Sequence, residues 1–396
     1  MGAVFAGSLF GTLFSGPLAD KIGRRVVIAI SAATFIAGIF LVISSQGFIL
    51  LFSGRLLLGV GIGIVSVAVP LYALELAPTE HRGLCVGVFQ LFLTSGILAA
   101  FFIDMLLVKS GNWHAMFEVV LVPAVILVVG ALFLPESPRW LFLRNKKEKA
   151  IEVLKKLHSP EEVEQELKLI ERSLQSKEGT WRELFSKRLA VPLLISVSIA
   201  ILQQLTGINT ILQYAPVMLK SAGFSSNYIS MLGSVGIGLM NLIFTIVGML
   251  LVDKVGRRPL LLTGLIGIVL SELMLGFVQF LSISVHLKAA LSLIGLLVFI
   301  MSFAVGPGIV IWLVMSELFP TSVRGKGLAL CLFFNSLGST VASSLFLTLT
   351  SAITLGGVYW LAAFFSFCYY LVAKFGLPET RARSLEEIQE SFASAS

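Results

Sequence analysis

Long apolar stretches follow one another along almost the whole chain, and short polar turns separate them. An apolar stretch of about 18 to 25 residues can cross the hydrocarbon core of a bilayer as a helix. The pattern predicts eleven such spans, with one long polar segment at residues 139–190 in the middle of the chain. The spans are predicted near residues 2–18, 26–45, 49–74, 84–107, 113–134, 191–219, 229–252, 259–283, 288–316, 326–350 and 354–376.

Composition and charge support this prediction of an all-α membrane protein. Hydrophobic residues make up 57% of the chain and charged residues 13%, about half the roughly 25% that is typical of soluble domains. The net charge is +7, but 25 of the 29 Lys and Arg residues lie in alternate loops. This asymmetry predicts that the basic loops and the C-terminus are cytoplasmic, in a plasma or inner membrane, and it argues against nucleic acid as a partner.

Three motifs occur twice at a nearly constant offset, which predicts two related halves. Asp20 is repeated at Asp253, "ELAPTEHRG" (75–83) at "ELFPTSVRG" (317–325), and "PESPRWL" (135–141) at "PETRARSL" (378–385). Repeats in the same orientation are a recurring plan of secondary transporters. The predicted domains are an N-terminal helical bundle (1–134), a cytoplasmic linker with short amphipathic helices (135–190), a C-terminal bundle (191–376) and a cytoplasmic tail (377–396).

The first half is expected to lack one helix relative to its repeat. Two predicted spans precede Asp253 within the second half, whereas only 19 residues precede Asp20. Arg55 lies inside a predicted span, where an unpaired cation costs at least ~2.5–3.5 kcal/mol. We expect its acidic partner on that absent helix, so the sequence is interpreted as an incomplete transporter rather than an eleven-span design.

The set of motifs resembles the sugar porter family of the major facilitator superfamily over nearly the whole chain. Besides the repeated pairs, the motifs are "GPLADKIGRR", "LLVDKVGRRP", "GRLLLGVGIG", "QQLTGIN", "GPGIVIW" and "LPETRARSLEEI". The chain is similar to xylose and glucose proton symporters and to glucose facilitators, beginning at the second helix of the family. The resemblance implies the major facilitator fold of two helical bundles and transport by alternating access.

Charged residues at the polar ends of the spans have the chemistry of a conformational latch. Glu75 with Arg82, and Glu317 with Arg324, supply carboxylate and guanidinium groups at neighbouring ends. Arg–carboxylate contacts are strong and directional, so networks of them hold one conformation and break in another. The alternative is that these charges only set topology or are solvated. The resemblance implies the latch, which closes the cytoplasmic side, for Asp20, Arg24, Arg25, Glu75, Arg82, Asp253, Arg257, Arg258, Glu317 and Arg324.

Side-chain amides deep in predicted spans are candidates for binding a sugar, because they both donate to and accept from hydroxyl groups. Gln203, Gln204 and Asn209 do not share one face of a regular helix, but Gly207 lies between them and predicts a break that lets them converge. The alternative is hydrogen bonding between helices. The amides in predicted spans are Gln90, Gln203, Gln204, Asn209, Asn241 and Asn335.

The resemblance implies that these six amides contact the sugar and that Trp312 stacks beneath it. It also implies that Gly306 and Pro307 loosen the helix that carries Trp312. Two positions depart from the family pattern: Gln213 stands where a Tyr is usual and Ser336 where a Trp is usual. Gln213 lies four residues after Asn209, on the same helical face, so we count it among the binding residues, and both departures leave the identity of the sugar open.

Coupling to protons is the other open question. In the family, the deciding acid lies on the first helix, near the residue that Arg55 matches. Glu272, in the middle of a predicted span, is an intramembrane acid and therefore a second candidate for carrying a proton. We favour proton symport of a hexose or pentose. The alternatives are a facilitative uniporter, a polyol or inositol transporter, a sugar sensor that does not transport, and an inactive fragment.

Other classes of chemistry have no support in the sequence. Cys85, Cys331 and Cys368 all fall in predicted spans, where they are expected to be small apolar fillers rather than disulfide partners. No nucleophile–base pair, metal cluster or phosphate loop is evident, so we expect no enzymatic activity, cofactor or metal.

Overall fold

The computed structural model is helical and contains no strand in the part of the chain that it describes. Its helices form two compact units, one from the described residues of Met1–Phe89 and Trp113–Glu178, the other from those of Gln90–Asn112 and Gly179–Ser396. The predicted division near residue 134 stays a prediction. The structure describes residues 2–77, 82–157, 159, 162–164, 167, 180–224, 226–320 and 322–379, with the backbone alone for residues 82–86, 253 and 316.

The first unit contains seven complete helices and the start of an eighth among its described residues. One helix, α4, begins in this unit and continues into the second unit from Gln90 onwards. In chain order the helices are α1 (Gly2–Ile22), α2 (Arg24–Ile43), α3 (Phe48–Leu76), α4 (Arg82–Leu107), α5 (Trp113–Glu118), α6 (Leu121–Phe133), α7 (Pro138–Leu143) and α8 (Lys147–Leu157).

The second unit contains the rest of the described helices. Two short 3₁₀ helices, Val108–Ser110 and Lys187–Leu189, also belong to it. The α-helices are α9 (Trp181–Leu184), α10 (Ala190–Leu205), α11 (Ile208–Ser221), α12 (Asn227–Val255), α13 (Arg257–Phe280), α14 (Val285–Val305), α15 (Pro307–Glu317) and α16 (Arg324–Gly376).

The eleven predicted spans are confirmed. Ten candidate membrane spans are long and apolar enough to cross a bilayer in the described part of the chain. The last of them, α16, is 53 residues long and breaks at Thr354, where φ is +65°, so it accounts for the two predicted spans 326–350 and 354–376. The chain is therefore an integral membrane protein made of helices.

Small residues bring α1 and α3 together in the first unit. Gly7 and Gly11 of α1 lie against the backbone of α3, and Gly59 and Gly63 of α3 lie against the backbone of α1. A Cβ atom at any of the four would collide with backbone of the other helix. Close approach through small residues is a main source of helix association in membranes, where the hydrophobic effect between helices is absent.

Two spans of the second unit are broken in the middle. Gly207 separates α10 from α11 and has φ +80° and ψ +13°, in the left-handed region that glycine adopts at little cost. The predicted break at Gly207 is thus confirmed. Gly306 and Pro307 separate α14 from α15, with the proline in the first turn of α15, where it needs no backbone N–H.

The polar segment after α6 begins with two short helices, α7 and α8, and α8 is an amphipathic helix of the kind predicted for this linker. Ala150 and Leu154 of α8 are buried against Leu141 and Phe142 of α7, while the lysines of α8 are exposed. The later linker stretch "EEVEQELKLIERSL" (161–174), which has the same helical pattern of apolar and charged residues, lies largely outside the described residues, and so does most of the tail predicted at 377–396.

Candidate functional site

Four amide side chains and one serine form a buried hydrogen-bonded group in the second unit. Gln204 Nε2 donates to Gln203 Oε1 (2.8 Å) and to Asn335 Oδ1 (3.0 Å). Asn335 Nδ2 donates to Gln203 Oε1 (2.8 Å), and Asn209 Nδ2 donates to Gln204 Oε1 (2.7 Å) and Ser339 Oγ (3.0 Å). These five residues are called the amide cluster below.

Local geometry explains why residues from three helices meet in the amide cluster. The turn at Gly207 brings Asn209, at the start of α11, back to Gln204, near the end of α10. Asn335 and Ser339 are four residues apart on α16 and therefore on one face. Asn335 Nδ2 also donates to the carbonyl of Ala200 on α10 (2.9 Å), which fixes α16 against α10.

The burial of the cluster makes its hydrogen bonds costly to break. Gln203, Gln204 and Asn335 are 3%, 6% and 7% exposed, and Asn209 is half-buried. A buried polar group that loses its partner costs about 1–3 kcal/mol. The cluster is therefore a fixed arrangement of donors and acceptors, with Asn209 at its more accessible side.

Gln213 lies one turn beyond Asn209 on α11 and carries an unused acceptor. Its Oε1 is buried and accepts no hydrogen bond from the residues that the structure describes. Such a carbonyl needs a donor from water or from a ligand. Gln213 thus offers a hydrogen-bond acceptor one turn from Asn209 of the amide cluster.

The other three predicted binding residues lie in the same unit without joining the cluster. Asn241 on α12 is 5% exposed, Trp312 on α15 packs against the hydrophobic core, and Gln90 on α4 is half-buried. Among the described side chains, none of the three is hydrogen-bonded to the amide cluster. The α4 segment that follows Gln90 packs on α12, where Leu98 and Phe101 contact Gly238.

Glu272 lies apart from the amide cluster, in the interface between α13 and α16. Its side chain is completely buried, and its carboxyl oxygens accept no hydrogen bond of ordinary geometry from the described residues. Ser366 and Tyr359, both on α16, are near enough to interact with it electrostatically. Burying a charged carboxylate without a paired cation is costly.

The charged residues of the first unit form a compact network at the end where α1, α2 and α3 meet. Arg24 binds Glu75 with two hydrogen bonds, Nε to Oε2 (2.9 Å) and Nη2 to Oε1 (3.0 Å). Both side chains are buried, at 4% and 5% exposure. Arg24 also pairs with the exposed Asp20 (2.9 Å), and Ser137 Oγ donates to Glu75.

Glu136, which follows α6, caps the start of α2. Its Oε1 accepts from the backbone N–H groups of Arg24 (3.0 Å) and Arg25 (3.2 Å), which are first-turn donors without a partner in the helix. The side chain of Arg25 in turn donates hydrogen bonds to the carbonyls of Ala131 and Leu132 at the end of α6. A carboxylate at this position also interacts favourably with the helix dipole.

The second unit repeats this arrangement. Glu379 accepts from the backbone N–H groups of Arg257 and Arg258 (both 3.1 Å) at the start of α13, and Arg258 donates to the carbonyl of Lys374 at the end of α16. Arg257 pairs with Glu317 at 3.6 Å. The repeat seen in the sequence is therefore a repeat of contacts.

The remaining predicted gating residues are placed differently. The Arg55 guanidinium lies 5.4 Å from the ring centroid of Phe117, a cation–π contact between α3 and α5. Arg324 donates weakly to the carbonyl of Phe319 (3.5 Å). The side chains of Arg82 and Asp253 lie outside the described part of the structure, so the predicted pairing of Glu75 with Arg82 stays a prediction.

Sequence reasoning missed Glu136, Glu379 and Ser339. The two glutamates occur at matching positions of the "PESPRWL" and "PETRARSL" repeat, which is the signal that could have identified them. Ser339 follows Asn335 by four residues, so the helical period alone places it on the face of a candidate binding amide.

We expect Gly23→Ala to destabilise the first charged network. Gly23 has φ +100°, and a Cβ atom there would collide with the Glu136 carboxylate. Strain of this kind costs about 1–3 kcal/mol, and the collision would also displace the cap of α2. The measurement is the thermal unfolding midpoint of the purified protein in detergent.

Gly16→Ala is the matched control for Gly23→Ala. Gly16 lies within α1, and a Cβ atom there meets no other atom within 4 Å. Alanine is the better helix former by up to about 1 kcal/mol, so this variant should melt at the same temperature or higher. Equal midpoints for the two variants would contradict the role of Gly23.

The fold and the two kinds of site together define a class of protein. The described residues contain ten candidate membrane spans, of which the last is broken at Thr354, and a buried polar cluster within one of two helical units. Broken spans with polar groups at their breaks are typical of secondary transporters. A family model described as "Sugar (and other) transporter" matches residues 1–392. The chain belongs to this sugar transporter family, which is a family of membrane transporters and not of enzymes.

Individual relatives agree with this membership. The chain is 37% identical to the glucose transporter GlcP of Staphylococcus epidermidis over 98% of its own length and 86% of the relative. It is 32% identical to the galactose-proton symporter of Escherichia coli, over 97% of its own length and 83% of the relative. A solved structure of the proton:xylose symporter XylE, of the major facilitator superfamily, superposes with a TM-score of 0.82 at 27% identity, covering 98% of this chain and 88% of that one. The predicted major facilitator fold is confirmed.

Proposed function

We propose that this protein carries monosaccharides, hexoses or pentoses, across a membrane by alternating access and in symport with protons. The amide cluster is the observation that carries the sugar assignment. The names of the relatives support the coupling, since two of the three are described as proton symporters. A facilitative uniporter is the alternative within the same family.

The chemistry of the amide cluster suits a sugar. Sugar hydroxyl groups are neutral and both donate and accept, and side-chain amides offer both functions without a charge that would have to be desolvated. In this proposal Asn209 and Gln213 present hydrogen-bonding groups to the sugar from α11, while Gln203, Gln204 and Asn335 hold Asn209 in place. The unpartnered Oε1 of Gln213 receives its hydrogen bond from a substrate hydroxyl.

The other predicted binding residues complete the proposed site. Gln90 and Asn241 supply further amides, and Trp312 supplies an aromatic face, which binds the apolar side of a pyranose ring. All of them belong to the second unit by packing contacts. Among the described side chains they form no hydrogen bond to the cluster, so their part in binding rests on their family positions.

The charged networks and the distribution of Lys and Arg support a proposed orientation. We propose that the end of each unit that carries Arg24 or Arg257 is cytoplasmic, in a plasma or inner membrane. In each unit an arginine pair, a glutamate cap and a second glutamate join the ends of several helices. We propose that these contacts hold one conformation during transport and are remade in another.

We expect Glu272→Gln to abolish proton-driven accumulation while leaving sugar exchange intact. Glutamine has the shape of the protonated acid but cannot release a proton. Because the carboxyl is buried without a strong hydrogen bond, the neutral amide should cost little stability. The measurement is the ratio of internal to external radiolabelled sugar under an inward proton gradient, with counterflow exchange measured in the same vesicles.

Glu118→Gln is the control for Glu272→Gln, since it removes an exposed carboxyl at the end of α5. It should accumulate sugar as the unaltered protein does. If Glu272→Gln also accumulates sugar normally, Glu272 carries no coupling proton. If it loses exchange as well, its role is structural.

Uptake into proteoliposomes tests the proposed function directly. The purified chain is reconstituted, and uptake of radiolabelled glucose, xylose and myo-inositol is measured with and without an inward proton gradient. Sugar accumulation that needs the gradient supports symport. Equilibration that ignores the gradient supports uniport, and transport of inositol alone would replace the monosaccharide assignment by a polyol. No uptake of any of the three would contradict the proposal.

A further inference from the structure

A cavity of about 670 Å³ lies at the end of the first unit where the last membrane helix of that unit meets the linker helices α7 and α8. The end of α1, the first turns of α2, the end of α6 and both linker helices line it. It contains none of the amides of the candidate sugar site. The cavity is therefore separate from the candidate sugar site, and Arg25 and Glu136 of the charged network also line it.

One wall of the cavity is apolar and reaches the surface of the membrane helices. Val26, Ala29 and Leu132 line it, and Val26 and Leu132 are also 43% and 60% exposed. The neighbouring Phe133 is 83% exposed. This wall is thus continuous with the apolar surface that faces lipid, which is the place where an acyl chain lies.

The wall that α8 and the residue before it contribute is basic. Lys149 and Lys156 of α8 line the cavity, and so does Lys146, the residue before α8. The Nζ atom of Lys146 lies 5.8 Å from a ring centroid of Trp140. Lys149 and Lys156 are seven residues apart, so they share one face of α8. Tryptophan and lysine together are typical of the level where a membrane helix meets the headgroups.

The two carboxylates that line the cavity already have partners within the protein. Glu136 caps α2, and Glu152 pairs with Lys156 at 2.8 Å. The hydrogen bond and the charge of Lys156, with a smaller contribution from Lys149, lower the pKa of Glu152. Lys146 and Lys149 make no direct salt bridge with the described side chains, so two exposed ammonium groups remain for an external anion.

We propose that this cavity binds an anionic phospholipid of the membrane leaflet on the basic-loop side. The phosphate group lies against Lys146 and Lys149, and an acyl chain lies along Val26, Ala29 and Leu132. An amphiphile with one anionic end and one apolar end matches both walls, whereas a soluble phosphate matches only one. Each lysine near a membrane surface contributes about 1 kcal/mol of attraction to anionic lipid.

Lipid binding by paired charge variants tests the proposal. The full chain is purified in a neutral detergent and titrated with phosphatidylglycerol or phosphatidylcholine, and bound lipid is counted by native mass spectrometry. Lys146→Gln with Lys149→Gln should weaken phosphatidylglycerol binding about tenfold or more. Lys147→Gln with Lys155→Gln removes the same charge from residues of α8 that do not line the cavity, and it should change binding less than about threefold.

Two further arms decide between the possible ligands. Ala29→Leu fills the apolar wall without changing charge, and it should weaken phosphatidylglycerol binding while the protein melts normally without lipid. Glycerol 3-phosphate and inorganic phosphate should raise the unfolding midpoint less than phosphatidylglycerol does. The proposal is overturned if phosphatidylcholine binds as tightly, if both lysine pairs weaken binding equally, or if the soluble phosphates stabilise the protein as much as the lipid.

Discussion

Gln204→Ala is expected to raise the KM for sugar uptake by on the order of 100-fold, the largest functional effect that the structure implies. Gln204 makes three hydrogen bonds, to Gln203, Asn209 and Asn335. Its loss leaves Asn335 Oδ1 and Asn209 Nδ2 each with one partner fewer, at about 1–3 kcal/mol for each group left unsatisfied. A site built to hydrogen-bond a hydroxyl loses most of its preference when its buried polar groups are no longer fixed.

The measurement for Gln204→Ala separates binding from folding. The unfolding midpoint of the purified variant shows whether it folds, and the further rise of that midpoint on adding sugar reports binding, since a ligand of the native state stabilises it. We expect a folded protein with little or no rise. A sugar-dependent rise equal to that of the unaltered protein would show that the amide cluster only holds helices together.

Ser196→Ala provides the matched control on the same helix. Ser196 lies two turns before Gln204 on α10, it is completely buried, and its Oγ has no hydrogen-bond partner in the described part of the structure. Removing a polar group that has no partner leaves nothing unsatisfied. Uptake and melting should therefore match those of the unaltered protein.

The sequence predicts the helices far better than the contacts between them. Spans are set by composition over some 20 residues, and the break at Gly207 is local, so both are visible without a structure. The partners of Gln204 are not. Asn335 lies 131 residues away, and the same amides are compatible with sugar binding or with simple bonding between helices until their geometry is known.

The partners of the charged residues are likewise hard to predict from the sequence. The repeat draws attention to Glu75 and Glu317, and proximity in the sequence favours Arg82 and Arg324 as their partners. In the structure Glu75 binds Arg24 and Glu317 binds Arg257, while the charge of Glu317 also acts on Arg324 and the side chain of Arg82 lies outside the described residues. Arg24 and Arg257 reach these carboxylates because the ends of several helices meet at one point, which is a property of the packing and leaves no periodic signal.

The partners of the Glu136 and Glu379 carboxylates cannot be predicted from the sequence for another reason. Their partners are backbone N–H groups at the start of α2 and α13, more than 100 residues earlier in the chain. Backbone donors have no signature in a sequence, so the repeat of "PES" and "PET" indicates that the glutamates matter but not what they bind.

The buried pair of Arg24 and Glu75 is expected to give the largest effect on stability. Arg24→Ala removes a guanidinium that is only 4% exposed and leaves the Glu75 carboxylate buried with its main partner gone. Breaking one side of a buried ion pair costs about 3–5 kcal/mol. The double variant Arg24→Met with Glu75→Met removes both charges and should melt above either single variant, because no unpaired charge is left in the interior.

Lys156→Ala is the control for these variants of the buried pair. It breaks an ion pair of similar length, Lys156 with Glu152 at 2.8 Å, but the two side chains are 68% and 65% exposed. Exposed ion pairs contribute little to stability because water and salt screen them. This variant should therefore have the same unfolding midpoint as the unaltered protein. Thermal unfolding of the five variants and of the unaltered protein in one detergent gives the comparison. If the effects of Arg24→Met and Glu75→Met simply add in the double variant, the two residues are not coupled. The helix ends of the first unit would then be held by the Glu136 cap and by the contacts of Arg25 with the end of α6, and a conformational latch would have to be sought there.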